Sequence, residues 1–212
     1  MITADELAII LPCPAPRAII WATHINAVLE RFEINTPLRA ASFIAQVGHE
    51  SGGLKFMREI WNPAQCAWQL KYESSINLGN TKADAIGIAA AHHSSPGYWW
   101  RGGGLMQVTG YNNYKNCGAA LGLDLLNNPE LIEIPEHAAA SSGWFWQTGA
   151  GFNLGKAALQ ALSQYGMGEG CDLNDVADLN DFKTLTICIN GGTNGYPDRL
   201  AIFNRALGIL QE

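Results

Sequence analysis

The sequence predicts a mainly α-helical fold, and three observations support that prediction. Apolar residues recur at helical spacing in several segments, and a proline or a capping residue stands at the start of most of them. Glycine pairs follow two of these segments. Of the 212 residues, 48% are apolar, and no low-complexity tract interrupts them. We therefore expect one folded domain over residues 1–212 rather than several independent domains.

The boundaries of the first three helices follow from local signals. Thr3 and Glu6 have the spacing of a capping box, which predicts a short helix directly after Thr3. A second helix should follow Pro16, with one apolar stripe through residues 25–32, and stop before Pro37. The third should start near Pro37 and end at Gly52-Gly53.

The middle of the chain has a weaker pattern. Residues 61–96 are rich in Asn, Gly and Ser, and the Ala-rich piece 83–91 suggests one or two helices with irregular links. We assign about 57–97 to a small lobe and the rest to a large lobe. Residues 97–110 contain five glycines, too many for a stable helix, so we expect a loop or hairpin-like segment.

Helical signals return after this segment. Pro135 suits the first position of a helix that runs through Trp146. Asn180 is expected to cap a helix that ends at Gly191-Gly192. A last helix should follow Pro197.

Charge and composition exclude several functions. A net charge of −6 argues against nucleic-acid binding, which needs clustered Lys and Arg. The apolar run Ala8–Leu11 is too short to span a membrane and follows Asp5 and Glu6, which does not fit a secretory signal. We therefore expect no membrane insertion and a cytoplasmic location.

Neither a metal nor a cofactor is expected. His49-Glu50 lacks the second His of the H-E-x-x-H motif, because position 53 is Gly. Adjacent His92 and His93 would point in different directions on a helix. The acidic run over residues 172–181 lacks the pattern of a calcium loop, and we interpret it as a solvated face.

Glu50 is the carboxylate in the most unusual position. In the segment 43–53 it lies almost above Phe43 and beside Val47, on the apolar face at the end of the third helix. Partial burial there would favour the protonated form of the carboxyl group, as a general acid requires. The alternative is a buried structural ion pair with a nearby arginine, for instance Arg58 or Arg101.

Glu59 is the candidate for a second carboxylate. It lies past the Gly-Gly break, so it cannot share the helical face of Glu50, although it could face it across a turn. A separation of roughly 6.5–9.5 Å between the two carboxyl groups would leave room for a water molecule and imply inversion at the anomeric carbon. A separation of about 5 Å would imply a covalent intermediate. On its own, Glu59 is more typical of a solvated surface residue.

Four segments together resemble the glycoside hydrolase family 19 chitinases, and most closely their phage endolysin branch. They are 43–53 (FIAQVGHESGG), 101–114 (RGGGLMQVTGYNNY), 127–131 (NNPEL) and 189–199 (INGGTNGYPDR). Each is weak alone, but their order and spacing are specific. The resemblance covers residues 38–205 and implies a lysozyme-like helical fold, with a large and a small lobe flanking a substrate cleft in a single catalytic domain.

The resemblance also implies roles for individual residues. Glu50 matches the general acid, Glu59 the proposed base, and Thr109 the hydroxyl that helps hold the attacking water. Positions that match the substrate cleft are Gln107, Asn113 and Asn190, and Arg199 matches an arginine that supports the site.

Aromatic residues add further candidates for substrate contact. Tyr98, Trp99, Trp100 and Tyr111 could stack on sugar faces, although packing in the core is at least as plausible for each.

The function implied is an endolysin: hydrolysis of the β-1,4 bonds of peptidoglycan, with lysis of a bacterial host from its cytoplasm. We expect a monomer whose access to the wall depends on a separate holin-like protein. The alternatives are a chitinase acting on a chitin-like glycan, a lytic transglycosylase, and a non-catalytic glycan-binding protein. The family usually has Arg where this chain has Gly103, which leaves the pH optimum open.

Overall fold

The computed structural model describes residues 1–148 and 154–211, and the described part is mainly helical. The α helices are α1 (Ala4–Ile10), α2 (Ala15–Arg31), α3 (Pro37–Glu50), α4 (Ala83–Ala91), α5 (Pro96–Trp99), α6 (Tyr111–Leu121), α7 (Pro135–Gln147), α8 (Lys156–Ser163), α9 (Leu173–Asp178), α10 (Phe182–Asn190) and α11 (Tyr196–Leu210). Two 3₁₀ helices cover Ala67–Tyr72 and Pro129–Glu133. The predicted fold class is thereby confirmed.

The chain divides into two compact units. Unit 1 contains Met1–Lys55 and the chain from Ser142 onward, and unit 2 contains Phe56–Ser141. The division falls inside α7. Unit 2 begins beside the start of the small lobe that the sequence suggested, but it continues well past residue 97. The lobe assignment stays a prediction.

Helix α3 forms the centre of unit 1. Nine consecutive residues of this helix, 40–48, are buried, and α11 packs along it. A Cβ atom at Gly48 would come within 2.2 Å of a methyl carbon of Leu11, so glycine allows the turn after α1 to lie directly against α3. The ring of Phe43 packs edge to face on Trp146 at 5.3 Å. The C-terminal end of α3 is thus built on a close-packed core.

The expected helix starts are largely confirmed. Thr3 and Glu6 form the capping box before α1, and Thr36 caps α3, whose first residue is Pro37. Helices α2, α7 and α11 also begin at or beside the expected prolines. The predicted cap of α10 was wrong by one residue: Asp181, not Asn180, accepts the backbone N–H of Thr184.

The acidic run over residues 172–181 is more than the solvated face that the sequence suggested. Asp172 caps α9 and Asp181 caps α10, each through its side-chain oxygen. Asp178 pairs with Arg39 of α3, whose Nε donates to its carboxylate at 2.9 Å. Of the four aspartates in this run (Asp172, Asp175, Asp178 and Asp181), three therefore cap or fasten helices in unit 1.

Unit 2 contains a miniature antiparallel arrangement in place of regular strands. The N–H of Gly104 donates to the carbonyl of Met57, and the N–H of Glu59 donates to that of Gly102. Gly103 and Val108 exchange two backbone hydrogen bonds of 2.9 and 2.8 Å. The expected hairpin-like segment is confirmed around Gly103 and Val108, whereas residues 97–99, which were also expected to be non-helical, belong to the short helix α5. Apart from these isolated bridges, residues 1–148 and 154–211 form no β-strand.

The structure also bears on membrane insertion. Within the described ranges, no single helix is long and apolar enough to cross a membrane. Helices α1 and α2 are bent by 108° relative to each other. They reach the length and apolar composition of a membrane span only when the two are counted together.

Candidate functional site

Glu50 is the last residue of α3. The turn that ends the helix is fixed by Ser51, whose hydroxyl donates to the carbonyl of Val47 at 2.6 Å and accepts the N–H of Leu54. Gly52 and Gly53 then adopt φ values of 60° and 72°, the left-handed region that glycine tolerates. The predicted end of α3 is confirmed, and it places Glu50 where a helix gives way to a sharp turn.

A buried arginine holds the Glu50 carboxylate. Nη2 of Arg199, on α11, lies 2.5 Å from Oε1 of Glu50, and the arginine side chain is only 1% exposed. Glu50 itself retains 22% exposure. The sequence left Arg58 and Arg101 as candidates for this cation, but the observed partner is Arg199, which lies 149 residues away along the chain.

Further hydrogen bonds fix Arg199. Its Nη1 donates to Oε1 of Gln46, one turn before Glu50 on α3, at 2.5 Å. Gln46 is fully buried, and its Nε2 donates to the hydroxyl of Thr186 on α10. Nε of Arg199 donates to the carbonyl of Asn194 at 3.3 Å. Three helices of unit 1 therefore share one buried polar network that ends at Glu50.

His49 and Asp198 make a second link beside this network. Nδ1 of His49 lies 2.6 Å from Oδ2 of Asp198, in the first turn of α11. The neighbouring residues Glu50 and Arg199 form the ion pair, so two adjacent side-chain pairs join the end of α3 to the start of α11. A Cβ at Gly195 would come 2.3 Å from Nε2 of His49, so the imidazole occupies space that only glycine leaves open.

In unit 2, Glu59 is held as an acceptor. Its Oε1 accepts Nε2 of Gln69 at 2.8 Å, and its Oε2 accepts the N–H of Gly102 at 3.0 Å. Glu59 is partly buried, which differs from the solvated position that is typical of an isolated surface glutamate. Each oxygen receives one donor, and further lone pairs are left to accept a proton or a water.

The predicted polar residues of segment 101–114 make local contacts in unit 2. The hydroxyl of Thr109 donates to the carbonyl of Gln107 at 2.8 Å, so its remaining capacity is to accept a hydrogen bond. Nε2 of Gln107 donates to the carbonyl of Gly104, and Nδ2 of Asn113 to that of Thr109. All three side chains are partly buried. Gln107 has a φ of 53°, a strained value for a residue other than glycine.

The other candidates differ in exposure. Asn190, the last residue of α10 in unit 1, is exposed. Tyr111 is only 3% exposed and packs edge to face on Trp100, which is fully buried. Of the two roles that the sequence left open for Tyr111 and Trp100, the structure favours core packing over sugar stacking. The ring of Trp99 stacks on His92 at 4.4 Å, whereas Tyr98 remains 40% exposed.

Gly103 stands in a tight environment. A Cβ at this position would come 2.3 Å from the hydroxyl of Tyr114 and 2.6 Å from Cγ2 of Ile132. That hydroxyl donates to the carbonyl of Arg101. Burial raises the pKa of Tyr114 well above its usual range, so the phenol remains a donor at every relevant pH. Tyr114 and Ile132 thus occupy the space that a side chain at Gly103 would need.

Sequence reasoning missed two buried glutamines, Gln46 and Gln69. Each lies beside one of the two candidate glutamates in the structure, with exposures of 0% and 1%. Gln46 precedes Glu50 by one helical turn, and its place among apolar residues of α3 was a usable signal. Gln69 lies in a 3₁₀ helix with no clear periodicity, so its burial left no pattern in the sequence.

Comparison with known proteins gives a consistent family. Residues 33–199 match the model of glycoside hydrolase family 19, described as chitinase class I. Endochitinase 1 of Theobroma cacao is 36% identical over 109 residues, which cover 51% of this chain and 32% of that protein. A glycosyl hydrolase family 19 domain-containing protein of Haemophilus influenzae is 26% identical over 198 residues, 86% of this chain and 85% of that protein.

Solved structures agree at the level of fold. Chitinase C from Streptomyces griseus superposes with a TM-score of 0.66 at 22% identity, covering 99% of this chain and 76% of that one. The chain spans about a third of the length of the plant endochitinases that it matches. The expected lysozyme-like helical fold of family 19 chitinases is confirmed.

Proposed function

Since the chain belongs to glycoside hydrolase family 19, we propose that it hydrolyses β-1,4 bonds in a polymer of N-acetylated amino sugars, with Glu50 as general acid. One observation carries this proposal. A partly exposed carboxyl group ends a buried helix, and a buried arginine that is itself hydrogen-bonded on two further sides fixes its position. A glutamate that served packing alone would not need a fixed position with one side open to solvent.

The arrangement suits proton donation. As the glycosidic C–O bond breaks, the acid transfers its proton to the departing sugar oxygen and is left as a carboxylate. Arg199, 2.5 Å from Glu50, stabilises that carboxylate without having to reorganise, because Gln46 and Asn194 already hold it. The fixed guanidinium therefore holds the Glu50 carboxyl group in one orientation while its proton is transferred.

Glu59 is assigned as the base. It would take a proton from the water that attacks the anomeric carbon. A new C–O bond to the water oxygen forms as the glycosidic C–O bond breaks, and the departing oxygen receives the proton of Glu50. The N–H donors of Gln69 and Gly102 hold the two carboxylate oxygens of Glu59 in fixed positions. Thr109 is assigned to the water as an acceptor, since its own hydrogen is directed at Gln107.

Two substrates are considered. We propose peptidoglycan as the substrate and an endolysin role in the bacterial cytoplasm, with a holin-like protein giving the monomeric enzyme access to the wall. Chitin is the second candidate, because the named relatives include endochitinases and chitinases. Release of reducing ends from purified peptidoglycan, compared with release from chitin oligomers, decides between the two.

The test of the acid is Glu50→Gln. Glutamine keeps an oxygen that can accept from Arg199, so the fold should be preserved while the transferable proton is lost. We expect turnover to fall by about 10²–10⁴ with little change in unfolding midpoint. The control is Glu30→Gln, the same substitution at an exposed position of α2 in the same unit. Normal turnover in Glu50→Gln would disprove the assignment, and a large loss of stability would favour a purely structural ion pair.

The products test the rest of the mechanism. Glu59→Gln should lose turnover, and partial recovery with azide would support its role as base, whereas unchanged turnover would place the base elsewhere. Anhydro-muramyl ends in digested peptidoglycan would identify a lytic transglycosylase instead of a hydrolase. The anomeric form of the first product reports inversion or retention.

A further inference from the structure

A run of aromatic rings lies beside Glu59 in unit 2. Trp68 packs on Tyr72 with ring centroids 5.6 Å apart, Tyr72 lies 6.3 Å from Trp61, and Trp61 lies 5.7 Å from Tyr98. We call these four rings the aromatic surface. They come from residues 61–72 and from α5, and all belong to the same compact unit.

Much of this surface faces solvent. Trp68 is 51% exposed and Tyr98 is 40% exposed, while Trp61 and Tyr72 are partly buried between them. Ile60 and Leu70, near them in the sequence, are 72% and 53% exposed. Exposing neighbouring aromatic rings costs free energy without stabilising the fold, and contiguous apolar patches mark binding sites.

Polar contacts tie the aromatic surface to Glu59. Gln69, directly after Trp68, donates both to Oε1 of Glu59 and to the carbonyl of Ile60, each at 2.8 Å. The guanidinium of Arg101 stacks on the ring of Tyr98 at 4.2 Å, while its Nε donates to the carbonyl of Glu59 at 3.2 Å. Both ends of the surface are therefore anchored to the backbone or side chain of the candidate base.

We propose that the aromatic surface of Trp61, Trp68, Tyr72 and Tyr98 binds sugar units of the glycan strand next to those handled at Glu59. This inference rests on the proposed function and extends it to the choice of a polymeric substrate. The faces of pyranose rings present C–H groups that pack on aromatic rings, and their edges present hydroxyl and amide groups.

The chemistry of the surface fits a glycan better than a purely apolar partner. The tyrosine hydroxyls and the Arg101 guanidinium lie among the rings, and both groups can hydrogen-bond to the polar edges of sugars. Burial, followed by the nearby Glu59 charge, raises the pKa of Tyr72 to about 12, so its hydroxyl stays a neutral donor. Proximity to Glu59 places this surface along the strand on which the base would act.

A strand long enough to reach the aromatic surface should bind more tightly than a short oligomer. The effect should appear as a lower KM on polymeric substrate, with little change in kcat, since the rings do not touch the reacting bond. Short oligomers that occupy only the bond-cleaving positions should not distinguish the wild-type chain from a variant of this surface.

The test is Trp68→Ala, made in the full chain and also in the Glu50→Gln background, where binding is measured without turnover. Sedimentation with insoluble peptidoglycan, and separately with chitin, reports affinity. We expect Trp68→Ala to weaken binding to one of these polymers about five- to tenfold, and Trp68→Phe to restore most of it. The control is Ile76→Ala, which removes a 79% exposed apolar side chain elsewhere in unit 2.

Equal binding by Trp68→Ala and the parent, or an equal loss in Ile76→Ala, would overturn the inference. So would a loss seen only with vesicles of phosphatidylglycerol, which would identify a lipid surface. The binding result is independent of the catalytic assignments, because it is obtained in a variant that lacks the proposed acid. Failure of the aromatic surface and failure of the mechanism are therefore separable.

Discussion

Replacement of Gly195 by alanine tests how the end of α3 is held against α11. The added Cβ would lie 2.3 Å from Nε2 of His49, a distance that no side-chain pair tolerates. The imidazole must therefore move, and its 2.6 Å contact with Asp198 must lengthen or break. Gly195 also has a φ of 69°, so alanine is strained there even without the clash.

The expected cost has two parts. A left-handed conformation costs a residue with a Cβ about 1 kcal/mol relative to glycine. The pair of His49 and Asp198 is partly exposed, at 27% and 64%, so its loss together with the displaced ring adds only about 1 kcal/mol. The sum of about 2 kcal/mol corresponds to a fall in Tm of about 4–8 °C for a chain of this size.

Thermal and urea unfolding of four variants would separate the two parts. Gly166→Ala is the control for backbone strain, since Gly166 has a φ of 70° and nothing within 4 Å of its Cβ position. In a His49→Ala background, Gly195→Ala should cost only the strain, so the double variant should show a coupling of about 1 kcal/mol. If Gly195→Ala costs no more than Gly166→Ala, the close contact with His49 is not a constraint and the reasoning fails.

Two further predictions concern positions outside this contact. Gly103→Arg, which restores the residue usual in the family, should destabilise the chain by about 1–3 kcal/mol in urea unfolding, because Tyr114 occupies the required space; unchanged stability would show that Tyr114 yields easily. At Asp181, burial raises the pKa, but hydrogen bonds from Thr184 outweigh it, so the folded-state pKa lies below the ordinary 3.8. The stabilisation that Asp181 provides is complete above pH 3.8 and is lost as the pH falls through its pKa in the folded state. In Asp181→Asn, the free energy of unfolding should therefore depend less on pH in that acid range. An unchanged dependence on pH there would contradict this.

The sequence was most informative where local chemistry decides the structure. Capping residues and prolines predicted the starts of α1, α2, α3, α7 and α11, because caps satisfy backbone N–H groups that only nearby residues can reach. Helix α6 was missed. Its sequence, YNNYKNCGAAL, contains asparagine and glycine, which are weak helix formers, and its first residue follows Gly110 without a side-chain cap. Burial of Tyr111, Tyr114 and Cys117 accompanies the helix, and no local signal reports that burial.

The candidate site shows the same division between local and long-range information. The period of α3 placed Glu50 on the apolar face, because that relation spans only seven residues. The ion pair with Arg199 joins residues 149 apart, whereas Arg58 and Arg101 had been named as examples of an arginine nearer in the sequence. Arg199 was indicated only by resemblance to a family, since one sequence contains no physical signal for a contact between distant helices.

Each candidate glutamate is positioned by a side chain more deeply buried than itself. Glu50 is 22% exposed and is held by Arg199 at 1%, while the partly buried Glu59 is held by Gln69, also at 1%. A buried polar side chain with satisfied hydrogen bonds has few alternative rotamers, because leaving any donor unpaired would cost about 1–3 kcal/mol. Each unit therefore fixes its carboxylate through its own core, and a substrate does not have to supply that order when it binds.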